Sequence, residues 1–182
     1  NLLIKNCVAL ANAGAVRIIN CPDLVIENSV ILRSNIQNMV LGNHAEETIT
    51  IRNSILGDNQ PSKSHVPTFE VRSGHFLIEG NNCYYVRLPD EERKAFHFGD
   101  FGGELRRMGA AHFNREFGQS PSLVANPNFA GLTRVAADKR EGYGGDTIMS
   151  VGELSFEDFF PTDAAVRERG MGLEPEAFKK AP

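Results

Sequence analysis

Four charged residues recur at equivalent places in the first half of the chain: Lys5, Glu27, Arg52 and Glu79, each directly after an isoleucine. Their signs alternate. Brought into one row at cross-strand distance, opposite neighbours would stabilise one another by roughly 0.2 to 1 kcal/mol per pair and fix the register of the strands that carry them. That structural ladder is the favoured reading of the row, although a groove of charged side chains is also where an extended sugar polymer could lie. A second polar group, Asp58, Asn59, Gln60, Lys63 and His65, is crowded into residues 57–67, and Arg72 follows in the next apolar run. Amide, carboxylate, ammonium and imidazole groups so close together suit hydrogen bonding to the hydroxyls of a glycan.

Other chemistries find little purchase. The histidines at 44, 65, 75, 97 and 112 contain no H-x-x-x-H pair, and Cys7, Cys21 and Cys83 contain no C-x-x-C. No metal set is predicted. Cys7 and Cys83 follow an asparagine where Ser29 and Ser54 also do, so they read as small residues at a packing position rather than as reactive thiols.

The elements that would position these groups are written as a repeat. LLIKNCVA, LVIENSVI, ITIRNSIL and the looser FLIEGNNCYYV place asparagines at 6, 28, 53 and 82, at intervals of 22, 25 and 29 residues. Ile4, Ile26, Ile51 and Ile78 point one way and the charged residues the other, which is the period of a strand. A second strand family lies between the copies, in AVRIIN, NMVLGN and TFEVRS, and a third short strand follows each asparagine through Val8, Val30, Ile55 and Tyr84. Units of this length bury their apolar faces only by stacking. The expected fold is therefore all-β, a right-handed parallel β-helix of about four coils over residues 1–88, with the asparagines inward at one corner and stacked amide to amide. Between the first and second families the interval runs 14, 15 and then 20 residues, so residues 57–67 carry an insertion of about five. Inserted loops of repeat proteins often form the binding face.

Residues 89–182 do not repeat. They contain a strand candidate at 96–98, a helical candidate at 103–116, a turn at Asn126 and Pro127, and a final segment of short strand, proline turn and brief helix. This region reads as a mixed helix and loop cap that covers one end of the stack. Composition is that of an ordinary globular domain, with 41% hydrophobic and 23% charged residues. A net charge of −4 gives no footprint for nucleic acid, and no apolar run approaches the roughly 20 residues of a membrane span. The first repeat starts at the first residues without a covering segment, so a preceding part of the chain or another chain is expected to cover the first coil.

The coils followed by NNCYYV, FGQSPSLVANPNFAG and LSFEDFFPTDAAVRERGMG resemble the C-terminal part of bacterial right-handed parallel β-helix repeat proteins of the pectate-lyase-like superfamily. The resemblance rests on residues 82–85, Ser122 with Leu123, residues 126–129 and residues 156–170, with the usual Ser-Pro-Ala replaced by residues 161–165. It implies an exported protein, extracellular, periplasmic or at the cell surface, that works on or adheres to polysaccharide. As a lyase, it would use Lys5 and Arg52 as base and charge stabiliser, with Glu27 or Glu79 as a calcium ligand, calcium being the one cofactor the resemblance allows. Two coils separate Lys5 from Arg52, roughly 9 to 10 Å, which is long for two groups acting on one sugar. As a hydrolase, it would pair Glu27 with Glu79 or Asp58 with Glu70. The favoured expectation makes this portion the scaffold and groove wall, with the main catalytic residues upstream. The alternatives are a non-catalytic glycan-binding or adhesive module and a structural extracellular solenoid. The chain has no Trp and only Tyr84, Tyr85 and Tyr143 as tyrosines, which counts against a stacking platform for sugars.

Overall fold

The computed structural model describes residues 2–10, 16–19, 21, 23–32, 39–42, 48–57, 69–72, 77–85, 96–99, 106–129 and 155–179. Half of them form short strands in three sheets. The first sheet has the order β1 (Leu2–Lys5), β4 (Leu24–Glu27), β7 (Ile49–Arg52), β10 (Leu77–Gly80) and β14 (Gly118–Ser120). The second runs β2 (Val8–Leu10), β5 (Val30–Leu32), β8 (Ile55–Gly57), β11 (Cys83–Tyr85) and β15 (Leu123–Val124). The third runs β3 (Val16–Ile19), β6 (Met39–Gly42), β9 (Phe69–Arg72), β12 (Phe96–Gly99) and β13 (Arg106–Met108). Among the described strands every pairing is parallel except β12 with β13. Up to β12, each strand therefore pairs with its counterpart one repeat away, and strands past residue 88 continue all three sheets.

Alternation sets the core. Leu24, Ile26, Ile49 and Ile51 of the first sheet are buried in one cluster with Ile31 and Leu56 of the second and Phe96 of the third. The second sheet is apolar on both faces, which explains why VIL carries no polar alternation. Its other face, Val30, Leu32, Ile55 and Cys83, is buried against Phe129, Phe159, Val166, Met171 and Leu173. The C-terminal segment thus lies along the flank of the second sheet, where the sequence predicts a cover for one end of the stack. A helix, α1 (Ala110–Phe117), supplies Phe113 to the inner cluster, stacked on Phe96 at 4.6 Å and edge-on to Tyr84. It is shorter than the expected 103–116, because residues 106–108 pair antiparallel with β12 and the first helical bond runs from Phe113 N–H to the Gly109 carbonyl.

The first three copies align as their sequences do: Ile4, Ile26 and Ile51 share one row, and Lys5, Glu27 and Arg52 the next. The fourth is displaced by one residue. Glu79 stands opposite Ile51 and Gly80 opposite Arg52, so the corner residue is Asn81 and not Asn82. The backbone gives the reason. Asn6, Asn28, Asn53 and Asn81 all have left-handed φ, between 47° and 54°, a conformation that asparagine tolerates better than other non-glycine residues. Asn82 instead takes the place of Ser54.

That place carries a ladder of its own. The backbone N–H of Cys7 donates to Ser29 Oγ (3.3 Å), that of Ser29 to Ser54 Oγ (3.2 Å), that of Ser54 to Asn82 Oδ1 (2.9 Å) and that of Asn82 to Ser122 Oγ (2.9 Å). The expected inward stack of corner amides is replaced by this ladder at the following residue. Only one bond joins two corner amides, Asn81 Nδ2 to Asn53 Oδ1 at 2.8 Å. The others turn towards the C-terminal segment.

Candidate functional site

Strands β1, β4 and β7 hold Lys5, Glu27 and Arg52 in one row, and Glu27 is the centre of it. Lys5 Nζ lies 3.2 Å from Glu27 Oε1, while Arg52 reaches Glu27 Oε2 through Nη2 at 2.7 Å and Nε at 2.8 Å. Lys5 Nζ also lies 3.1 Å from Glu174 Oε2. The Arg52 hydrogen bond, with help from Lys5, holds the Glu27 carboxyl below the usual carboxylate range although its partial burial opposes this. The Glu174 and Glu27 carboxylates raise Lys5 above an ordinary lysine. Both carboxylate oxygens of Glu27 are engaged and Lys5 is held protonated, so neither is a free acid or base at neutral pH. With Glu174 the row is neutral.

The remaining candidates do not join it. Glu79 is one residue out of register with the row, and its side chain lies outside what the structure describes, so the Glu27 and Glu79 pair is not assembled at equivalent positions. Asp58, Lys63 and His65 lie outside the described residues, as does the insertion they belong to. Arg72 is placed by its backbone at the end of β9, opposite Gly42 and Gly99. Glu70 is buried in β9, opposite His97 of β12, while its suggested partner Asp58 is not among the described residues. Cys83 is buried and its thiol is pushed up to about 12, chiefly by desolvation, which suits packing rather than nucleophilic attack. Cys7 fills a serine position: its Sγ approaches the Lys5 carbonyl at 3.3 Å, as Ser29 and Ser54 hydroxyls donate to the Glu27 and Arg52 carbonyls at 2.9 Å. Among the described residues, no three His, Cys, Asp or Glu side chains gather as a metal would require, and no helix is long and apolar enough to cross a membrane.

Sequence reasoning missed the residues that cover the corner. After α2 (Ala164–Glu168), Gly170 takes a left-handed φ of 64° and its N–H donates to the Arg167 carbonyl, ending the helix. The chain then crosses the asparagine corners. Asn81 Nδ2 donates to the Arg169 carbonyl (2.9 Å), Gly172 N–H to the Asn53 carbonyl (2.7 Å), Asn28 Nδ2 to the Gly172 carbonyl (3.3 Å) and Glu174 N–H to Asn6 Oδ1 (3.0 Å). Asn6 Nδ2 returns a bond to Glu174 Oε2 at 3.3 Å. Most of these bonds use main-chain atoms of the crossing segment, which leave no side-chain signature; Gly170, Gly172 and Glu174 were the only signals available. Comparison of the chain with protein-family models, with curated proteins and with solved structures returns no match.

Proposed function

We propose that this chain is the scaffold and groove-wall portion of a carbohydrate-active protein of the pectate-lyase-like kind, exported or cell-surface, in which three strands per repeat wind as a right-handed parallel β-helix. The observation that carries this reading is the register of the first sheet. It sets Leu3, Val25 and Thr50 in one row and Lys5, Glu27 and Arg52 in the next, a straight face with a spacing of about 4.8 Å that suits an extended polymer. Because Glu27 is saturated by Lys5 and Arg52, the row acts as wall and not as the reacting group of a lyase or hydrolase.

Affinity gel electrophoresis of the wild type and of Arg52→Ala, in gels containing polygalacturonate or a neutral glucan, tests the reading. Retardation of both proteins, with a lower melting temperature for Arg52→Ala, is the expected result. Loss of retardation in Arg52→Ala at unchanged stability would make the row itself the binding site. A wild type that is retarded by neither polymer would leave the structural solenoid in place of the carbohydrate reading.

A further inference from the structure

The corner asparagines form a track with one station per repeat. From Asn81 to Asn6 there are three inter-strand steps, about 14 Å, while the five residue steps from Arg169 to Glu174 reach at most about 17 Å when extended. The crossing segment therefore has the reach to pass over four repeats, and it does so with left-handed φ at Gly170 and Gly172. It is recognised largely through its main chain: the carbonyls of Arg169 and Gly172 accept from the amides of Asn81 and Asn28, and the N–H groups of Gly172 and Glu174 donate to Asn53 and Asn6. Three side-chain requirements are visible. Met171 and Leu173 are buried with Val30, Leu32 and Ile55 on the outer face of the second sheet. Position 172 needs glycine, because its φ is 91° and a Cβ there would stand 2.7 Å from Ile55 Cδ1. Position 174 needs an acid, whose carboxylate meets both Lys5 and Asn6.

We propose that this asparagine ridge is a docking surface for an apolar-Gly-apolar-acid segment, filled in cis by residues 171–174 and able to accept the same segment from a second copy of the chain. Regularly spaced amides, an apolar strip beside them and a lysine at the far end make a receptor whose ligand is defined by chemistry that both copies carry. Exchange of an identical segment between two copies makes no new contact type and loses none, so the cost is confined to bringing the copies together.

The test uses full-length chains and a fluorescent peptide with the sequence of residues 163–179. Gly172→Ala lifts the chain's own segment from the ridge. Its solution should raise the polarisation of the peptide in a saturable way, at peptide concentrations where the wild type, already occupied, takes up at least tenfold less. The same peptide carrying Gly172→Ala should not bind. Failure of the Gly172→Ala chain to bind the native peptide while its circular dichroism keeps the strand signal would overturn the proposal, as would equal binding of the two peptides. Should Gly172→Ala not fold, Glu174→Ala removes the contacts to Lys5 and Asn6 without touching the core. It should show faster amide exchange over residues 2–10 together with measurable peptide uptake, and the absence of uptake despite that faster exchange would equally overturn the proposal.

Discussion

An asparagine at each corner answers to a backbone requirement before it answers to any partner. An ordinary L residue in the left-handed region costs roughly 1–2 kcal/mol, and Asn28, at φ 47°, also donates its amide to the Gly172 carbonyl. Asn28→Leu should therefore destabilise the fold by about 1–3 kcal/mol, whereas Asn28→Gly, free of the steric term, should lose well under half of that; urea midpoints of the two variants decide it. Glu27 makes a prediction in pH. Its folded-state affinity for protons is lowered, so below the ordinary carboxyl range the unfolded chain binds the proton more readily. The stability it contributes is present above that range and is lost as pH falls through its lowered folded value. Lys5 has the opposite sign: its contribution holds below the usual lysine range and disappears as pH rises through its raised value. Glu27→Gln should lower the melting temperature at neutral pH and flatten the fall that sets in as pH drops below the ordinary carboxyl range, so parallel acid limbs for wild type and variant would show that Glu27 is not the group responsible.

At the scale of the element, the serine ladder is the feature that fixes how one repeat sits on the next. Ser54 is fully buried, accepts the Ser29 N–H and donates to the Arg52 carbonyl, so Ser54→Ala removes the acceptor of the Ser29 N–H and leaves the Arg52 carbonyl with the Asn28 N–H alone. A loss of about 1–3 kcal/mol follows, and Ser54→Cys should recover part of it, because Cys7 already serves at the equivalent place; thermal unfolding of the pair measures this. What was legible in the sequence follows from the same geometry. Side chains that alternate across a strand announce themselves, so the three strand families and the rows through Ile26 and Glu27 could be read directly. The fourth repeat could not. In FLIEGNNCYYV two asparagines compete for the corner, and alignment by the Asn-Cys pair of the first repeat selects Asn82. Only the backbone tells which of the two takes positive φ, and Asn82 can substitute for serine because an amide oxygen accepts as a hydroxyl does. Glu79 is placed in the row by matching Ile78 and Glu79 to Ile51 and Arg52, a pairing that the observed register shifts by one residue, and the site reading built on four charges reduces to three. The flank position of residues 155–179 was equally hidden, since an apolar cap and an apolar side cover have the same composition.

For the whole molecule, the two ends of the stack are unlike. Phe113 of α1 reaches the inner cluster near Tyr84 and Phe96, while at the other end β1 exposes Leu2 and Leu3, at 40% and 58%. Edge strands with apolar side chains invite pairing with further strands, so self-association that grows with concentration is expected. Leu3→Glu should reduce the association without altering the melting temperature, as judged by light scattering; association unchanged by that substitution would place the contact elsewhere. The bonds from Lys5 and Asn6 to Glu174 also set an order in time, since a contact spanning 168 residues cannot form until its second half exists. At about 5–20 residues per second on a ribosome, strand β1 waits roughly ten to thirty seconds for the residue that fastens it. Strand β1 is thus made long before it can be secured, and during translation it depends on whatever shelters nascent strands until Glu174 arrives.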